Sequence, residues 1–294
     1  GRVPLRGMPS FFFGRSARPS RIALLSLTDF RSNSFMQEQL NALLAKAAAE
    51  NRLPKAIVPT DLYGQSADLD LLERLAKQYD VRLIVDSAES LGATYQNGRK
   101  AGTGGDAAIL SFNGNKIITT GGGGMLVTDD AELAKQARFL ATQARDAAPH
   151  YQHSTVGYNY RLSNIAASIG LGQLTRLSGK VSRRRGHFKA YAEAFKALPG
   201  VVMQPEASWG ESTRWLTCLT IDPKIAGVTR EQVRLALEAE NIEARPVWKP
   251  MHLQPVFAAA EMHGGKVCER LFEHGLCLPS GAGMNEEDRN RVIA

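Results

Sequence analysis

The stretch Arg82-Leu83-Ile84-Val85-Asp86 gives the first clear indication of the fold. Its centre is aliphatic and β-branched, the composition that strands favour, and it ends on a carboxylate. The leucines of 68–79, directly before it, recur at helical spacing and predict an amphipathic helix. Residues 56–59 are apolar and predict a short buried strand ahead of that helix. The order around Asp86 is therefore strand, helix, strand.

The same alternation continues on both sides of this unit. Further helices are predicted over 36–50 and 131–143, and further strands over 107–111 and 125–128. Strands that alternate with helices favour an α/β fold with a mostly parallel sheet.

The second half of the chain repeats the α/β pattern on a smaller scale. Ser163 or Asn164 is a candidate N-cap for a long helix that runs towards Leu198, with a bend near Gly179. A strand over 216–221, a helix over 230–240 and a strand over 242–245 follow. We therefore expect a large domain over 33–178, a small C-terminal domain over 179–294 and an unmatched basic segment over 1–32.

Charge is concentrated at the start of the chain. The 294 residues include 36 Lys and Arg and 29 Asp and Glu, a net charge of 36 − 29 = +7. Residues 1–32 hold six Arg and one Asp, so they carry +5 and leave only +2 for the remainder. A nearly neutral body argues against a nucleic-acid-binding face. We therefore expect no nucleic acid as a partner.

Cysteine content and hydropathy bear on the compartment. The three Cys residues are widely spaced and form no zinc pattern, as is usual for a reduced, intracellular protein. No uninterrupted apolar run reaches the roughly 18 residues of a membrane span, and the first residues lack the apolar core of a signal peptide. We expect a cytoplasmic protein with no membrane span and no metal site.

Three unusual segments come where predicted strands end. They are Asp86-Ser87-Ala88-Glu89, Ser111-Phe112-Asn113-Gly114-Asn115-Lys116 and the run Gly121–Gly124. Ligands of open α/β sheets bind at the carboxyl ends of strands. Taken singly, Asp86 could instead cap a following helix, and Lys116 could be an exposed loop lysine.

Together these residues favour pyridoxal phosphate. A strand-end carboxylate can keep the pyridine nitrogen of that cofactor protonated, a lysine can bond to its aldehyde, and a hydroxyl such as that of Ser111 can donate to its phosphate. Neither GxxxxGK[ST] nor GxGxxG is present, so the four glycines are not a known phosphate loop. We expect the run Gly121–Gly124 to let the backbone pass close behind Lys116.

Longer motifs resemble one family. They include the stretch from Ser111 to Thr120, Gly157-Tyr158-Asn159-Tyr160-Arg161-Leu162-Ser163-Asn164, and Arg245-Pro246-Val247-Trp248-Lys249-Pro250-Met251-His252. With the segment from Asp86 to Glu89, they resemble the DegT/StrS sugar aminotransferases from about Asn33 onward. The resemblance implies the fold of the type I pyridoxal phosphate transferases, here N-terminally incomplete, and a homodimer with shared active sites.

The resemblance also implies which residues hold the cofactor. Lys116 would be the catalytic lysine that bonds to the aldehyde and moves the proton. Asp86 would pair with the pyridine nitrogen, Glu89 would lie near the ring hydroxyl and Ser111 would bind the phosphate. Asn159 would reach across the dimer interface into the partner's site, where it would contact both cofactor and substrate.

Lys249 and His252 would face the substrate. His252 could equally be a satisfied histidine at an interface, and Arg161 and Arg245 are as much candidates for buried ion pairs as for diphosphate ligands. Three bulky aromatic residues are expected in the core rather than in the site: Trp215, Trp248 and Tyr160.

Within this family, the sequence most resembles the bacillosamine-pathway branch. Three segments carry this resemblance: the residues around Lys116, Arg245–His252 and Cys277–Gly281. Enzymes of that branch move an amino group from glutamate to the fourth carbon of UDP-2-acetamido-2,6-dideoxy-4-keto-hexose. Some family members carry His in place of Lys116 and act as dehydratases, so Lys116 keeps transamination available. A dTDP-linked keto-sugar as substrate remains an alternative.

The start of the chain departs from the family pattern. Members carry an N-terminal segment with a turn that binds the cofactor phosphate, and residues 1–32 do not resemble it. We therefore expect these residues to lie outside the folded catalytic domain. A non-catalytic fragment or partner of the family is the third functional alternative.

Overall fold

A computed structural model describes residues 22–25 and 33–294. It confirms an α/β fold built on two sheets. The first has the order β1-β2-β3-β4-β5. Its strands are β1 (Ile22–Leu25), β2 (Ala56–Pro59), β3 (Arg82–Asp86), β4 (Ala107–Ser111) and β5 (Gly124–Val127). Neighbouring strands from β1 to β4 run parallel, and β5 runs antiparallel to β4.

The helices of this half are α1 (Asn33–Ala49), α2 (Leu69–Tyr79) and α3 (Ala131–Ala141). The leucines of α2 at helical spacing are buried, together with Leu83 and Val85 of β3, in one core cluster. Asp68 caps α2, because its carboxylate accepts the N–H of Leu71 at 3.2 Å. The periodicity seen in the sequence is thus the face that packs on the parallel sheet.

The second sheet has the order β6-β7-β9-β8, and its paired strands are antiparallel. Its strands are β6 (Val201–Met203), β7 (Thr217–Ile221), β8 (Arg245–Pro246) and β9 (Gly275–Leu278). Helix α4 (Asn164–Leu174) contacts the first half of the chain, where the side chain of Gln173 donates to the carbonyl of Thr119 at 2.9 Å. The helices that follow α4 in the chain are α5 (Leu177–Phe195), α6 (Pro223–Ala226), α7 (Arg230–Ala239), α8 (Lys266–His274) and α9 (Glu286–Ile293). Tyr191 of α5 and Leu276 of β9 lie at the centre of the core of the second sheet.

The expectation that residues 1–32 lie outside the folded domain is wrong for Ile22–Leu25. These residues pair in parallel register with Ala56–Pro59 as the edge strand β1. An apolar run of four residues suffices for an edge strand, since it needs only one neighbour. The six Arg of this segment lie outside the described residues.

The long predicted helix is broken earlier than Gly179. The break lies at Thr175 and Arg176, where the Thr175 hydroxyl donates to the carbonyl of Gly172 at 2.9 Å. The strand predicted over 242–245 shrinks to β8, because the N–H of Ile242 turns back to the carbonyl of Leu237 at 2.8 Å. Local helix closure therefore takes a donor that the sheet would otherwise use.

Among the described residues, no helix combines the length and the apolar character that crossing a bilayer requires. The same part of the chain contains no cluster of three or more His, Cys, Asp or Glu that could hold a metal ion.

Glu206 links the loop after β6 to α5. It accepts the N–H of Ser212 at 2.8 Å and pairs with Arg185 at 2.6 Å. Burial alone raises the pKa of Glu206, but the hydrogen bonds from Arg185 and Ser212 outweigh burial and lower it. A carboxyl group with a lowered pKa stabilises the fold above its ordinary pKa and loses that contribution as the pH falls.

We therefore expect Glu206→Gln to lower the free energy of unfolding at pH 7 by about 1 kcal/mol. The difference from the parent protein should shrink as the pH falls below 4.5, the ordinary value for this group. Urea unfolding at several pH values measures it. Glu193→Gln is the control, since Glu193 is exposed and should change little. A difference that grows in acid would contradict the assignment.

Candidate active site

The carboxyl ends of β3 and β4 lie side by side, because these two inner strands of the first sheet are parallel neighbours. Asp86, the last residue of β3, pairs in register with Ile109, two residues before the end of β4 at Ser111. On the other side of Asp86, Thr60 forms a parallel bridge to it just after β2 ends. The sheet thus brings together two of the three segments that the sequence places at strand ends.

Asp86 and Ser111 both shape the turns that follow them. The Asp86 carboxylate accepts the N–H of Ala88 at 3.1 Å, and a turn rather than a helix follows. The Ser111 hydroxyl accepts the N–H of Asn113 at 3.4 Å. Both side chains are half-buried, so each retains access to the edge of the sheet.

Lys116 lies inside the site rather than on the surface. Its turn closes by a hydrogen bond from its N–H to the carbonyl of Asn113 at 3.0 Å. The side chain is only 13% exposed, and Nζ lies 3.5 Å from Oε1 of Glu89. The same Nζ lies 4.3 Å from the ring centre of Trp215. A carboxylate and an aromatic face both attract a cation, so they fix the position of the amine.

Hydrogen bonds from two other residues hold Glu89, the carboxylate beside Lys116. Its Oε2 accepts the N–H of Tyr63 at 2.9 Å, and its Oε1 accepts Nε1–H of Trp248 at 3.2 Å. Burial raises the pKa of Glu89, and the charge of Lys116 and the N–H of Tyr63 oppose that rise. Glu89 therefore takes up a proton more readily than an exposed glutamate does.

The glycine run passes beside the strand that leads to Lys116. The carbonyl of Gly123 accepts the N–H of Phe112 at 3.0 Å. At Gly124, a Cβ would lie 2.6 Å from the carbonyl oxygen of Leu110, which leaves no space for a side chain. The absence of a side chain there is what allows β5 to lie against β4.

Trp215 lies in the core, as expected, but it also forms a wall of the site. It is 1% exposed. Its Nε1–H donates to the carbonyl of Asn115, directly before Lys116, at 3.0 Å. Behind it, the guanidinium of Arg184 donates to the carbonyl of Trp215. Burial lowers the pKa of Arg184 to about 10.

The core expectation is wrong for Trp248 and Tyr160. Trp248 is 37% exposed, because its indole stands over Glu89 at the mouth of the site. Tyr160 is 54% exposed and stacks on Tyr158 with ring centres 5.0 Å apart.

Tyr63 is a site residue that the sequence reasoning missed. Its hydroxyl accepts the N–H of Trp248 at 2.7 Å, and the two rings lie 5.5 Å apart. Burial raises the pKa of its hydroxyl far above the ordinary value. Its position just after the carboxyl end of β2 was the signal that could have found it, since β3 and β4 end at the same edge.

The described contacts of Asn159 do not involve Lys116. Asn159 is exposed, bridges to Thr142, and lines an open cavity of about 560 Å³ with Arg145 and Arg161. Lys249 is exposed as well. The Nε2 atom of His252 lies 2.8 Å from Oε1 of Glu269, so this histidine has a partner on α8. Among the described residues, none of these three predicted site residues has a hydrogen bond or ion pair with Lys116.

The sequences of two named proteins align with most of this chain. A protein of Bacillus subtilis (strain 168) named "Putative pyridoxal phosphate-dependent aminotransferase EpsN" is 50% identical over 258 residues, which cover 86% of this chain and 66% of that protein. GDP-perosamine synthase of Caulobacter vibrioides is 41% identical over 241 residues, or 82% of this chain and 64% of that enzyme. The chain thus spans slightly less than two thirds of the length of these relatives.

Solved structures agree with the sequence relatives. A DegT DnrJ EryC1 StrS aminotransferase from Brucella abortus superposes with a TM-score of 0.80 at 26% identity, covering 94% of this chain and 78% of that one. The family profile for the DegT/DnrJ/EryC1/StrS aminotransferases matches residues 30–294, which include both sheets beyond β1 and every candidate site residue. The chain therefore belongs to the DegT/DnrJ/EryC1/StrS aminotransferase family.

Proposed function

We propose that this protein is a pyridoxal phosphate-dependent aminotransferase that moves an amino group from glutamate to the 4-keto carbon of a nucleotide-linked 4-keto-6-deoxy sugar. The observation that carries the proposal is the Lys116 amine, held between Glu89 and Trp215 at the edge where β3 and β4 end. The substrate that we favour is UDP-2-acetamido-2,6-dideoxy-4-keto-hexose, because the motifs around Lys116 and at residues 245–252 resemble those of enzymes that act on it.

The donor set at this edge fits pyridoxal phosphate. A buried primary amine, a strand-end carboxylate and a strand-end hydroxyl are the groups that its aldehyde, pyridine nitrogen and phosphate need, and Lys116, Asp86 and Ser111 supply them. When bound, the cofactor supplies an aldehyde that accepts the amino group and a ring that withdraws electrons from the reacting carbon.

The residues of the chain divide the remaining work. Lys116 bonds to the cofactor and moves the proton at Nζ as general base and acid. Glu89 holds that amine in place and can exchange a proton with it. Trp215 lies against the amine and Trp248 lies against Glu89, and the exclusion of water by these two rings strengthens the interaction between Lys116 and Glu89.

Substrate recognition is assigned to the segment 245–252 beside this site. Trp248 stands at the mouth of the site, and Lys249 follows it in the exposed part of the segment. A lysine there can neutralise the diphosphate of a nucleotide sugar. His252 would contact the sugar only by giving up Glu269, its partner in the structure described above.

The exposed surface of α4 supports our proposal of a homodimer with shared sites. Ile165, Ile169, Leu171 and Leu174 are between 48% and 77% exposed on this one helix. Apolar exposure of this kind marks a protein interface. Asn159, whose loop leads into α4, lines the cavity beside this surface and is the residue we assign to the partner's site.

The covalent role of Lys116 can be tested without turnover. After incubation with pyridoxal phosphate and reduction with borohydride, the parent protein should carry the label on the peptide that contains Lys116. Lys116→Ala should lose this label, because among the described residues no other lysine forms an ion pair with a largely buried carboxylate. Lys135→Ala should keep it, since Lys135 is 78% exposed. Peptide mass mapping gives the answer, and a label on another lysine in the parent would overturn the assignment.

The nucleotide is tested with a panel of UDP-, GDP- and dTDP-linked 4-keto-6-deoxy sugars and glutamate as donor. We expect amine formation to be most efficient with the UDP-linked 2-acetamido sugar. A GDP-linked sugar is the second candidate, because a GDP-perosamine synthase is 41% identical to this chain. Cofactor binding at Lys116 without turnover of any sugar would favour a non-catalytic member of the family.

Sharing of the site is tested by mixing two inactive variants. Lys116→Ala and Asn159→Ala should each be inactive alone, and a mixed dimer should regain one complete site that contains both native residues. Activity of the mixture measures the recovery. A mixture of Lys116→Ala and Lys116→Arg is the control and should stay inactive. Mixed dimers without any recovered activity would count against a shared site.

A further inference from the structure

Asp61 is a carboxylate with no exposure to solvent, and it lies just below the candidate site. It follows β2 by two residues, and 0% of its surface is accessible. Its Oδ2 accepts three hydroxyls, those of Ser90 at 2.7 Å, Ser87 at 2.8 Å and Tyr95 at 3.0 Å. Its Oδ1 accepts the N–H of Ala67 at 2.8 Å.

The groups that donate hydrogen bonds to this carboxylate are all neutral. Among the described residues, Asp61 takes part in no ion pair with Lys, Arg or His. Burial raises its pKa, and the four hydrogen bonds oppose the rise. Burying a carboxylate is unfavourable unless donors surround it, so loss of any of these donors leaves a strongly destabilising group. The positions of the donors are therefore tightly fixed.

Two of these four donors, Ser87 and Ser90, belong to the segment that carries the site carboxylates. Ser87 follows Asp86 directly, and Ser90 follows Glu89 directly. The backbone N–H of Asp61 also donates to the carbonyl of Asp86 at 2.9 Å. Tyr63, two residues after Asp61, donates its N–H to Glu89 at 2.9 Å.

We infer that Asp61 is the positioning residue of the active site, which holds the turn from Asp86 to Ser90 so that Glu89 meets the amine of Lys116. The importance of this positioning for catalysis rests on the function proposed above. The positioning of the turn itself does not depend on any cofactor or substrate. Asp61 touches neither Lys116 nor any reacting group and acts through Ser87 and Ser90.

Asparagine in place of Asp61 should fail in this role for a geometric reason. An amide has one acceptor oxygen, and its NH₂ group offers donors where the carboxylate offered an acceptor. In Asp61→Asn, either the three hydroxyls or the N–H of Ala67 would face an NH₂ group. The turn should shift to relieve this mismatch and carry Glu89 away from Lys116.

The first measurement uses the protein without added cofactor. The rate of trinitrophenylation of Lys116, relative to that of the exposed Lys135 in the same sample, reports how well the amine is held. We expect this ratio to rise several-fold in Asp61→Asn. Asp106→Asn is the matched control. Asp106 accepts the N–H of Leu83 at 2.7 Å and directly precedes β4, so it lies at the amino ends of the strands, opposite the site. The ratio should stay at the parent value in that variant.

The second measurement is the affinity for pyridoxal phosphate, read from its visible absorbance. Asp61→Asn should bind about tenfold more weakly than Asp106→Asn, a difference of about 1.4 kcal/mol. Ser90→Ala removes one donor and should give a smaller rise in Lys116 labelling, so it tests the inference if Asp61→Asn does not fold. A parent protein that fails to bind the cofactor would overturn the proposed function, while the labelling ratio would still decide the role of Asp61.

Two results would overturn the positioning role. One is a labelling ratio that rises equally in Asp61→Asn and Asp106→Asn, since general loosening of the fold would then explain it. The other is a ratio that stays at the parent value in both Ser90→Ala and every folded Asp61 variant.

Discussion

The buried carboxylate of Asp61 is the constraint on which the site depends most. A charge removed from water must be surrounded by donors, and this one draws them from the turn after β3, from Tyr95 and from its own loop. The loops after β2 and β3 are thereby held in one arrangement. Glu89 and Tyr63, which meet across these loops, owe their contact to it.

A second constraint joins the two sheets. The turn before Lys116 belongs to the first sheet, yet its carbonyl at Asn115 is held by the indole of Trp215, which precedes β7 of the second sheet. Arg184 of α5 in turn holds the backbone of Trp215. The site therefore forms only when both sheets are folded and in contact, and a disturbance of α5 can reach the lysine through two contacts.

The surface of α4 bears on the homodimer proposed above. Helix α4 presents four large apolar side chains to solvent, and Lys116 is not among the residues that line the cavity with Asn159, Arg145 and Arg161. Within one chain, Asn159 and Arg161 of the Gly157–Asn164 motif have no described hydrogen bond or ion pair with Lys116. A second copy packed on α4 would give both the apolar helix and the cavity a function.

The sequence by itself determined the α/β class, the strands that end in Asp86 and Ser111, and the special character of Lys116. The spacing of apolar residues and the position of a polar residue at the end of a strand are local signals. A short stretch such as 82–86 is therefore enough to reveal a strand and the residue that ends it. Local signals failed where backbone groups had competing partners, as at Ile242, and where an edge strand needed a neighbour, as at Ile22–Leu25. Only the tertiary structure decided that Trp248 covers Glu89, that Tyr63 belongs to the site and that Asp61 lies beneath it, because these contacts join residues 26 to 159 positions apart. No periodicity encodes such contacts; they follow from burial of charge and aromatic surface once the two sheets have met.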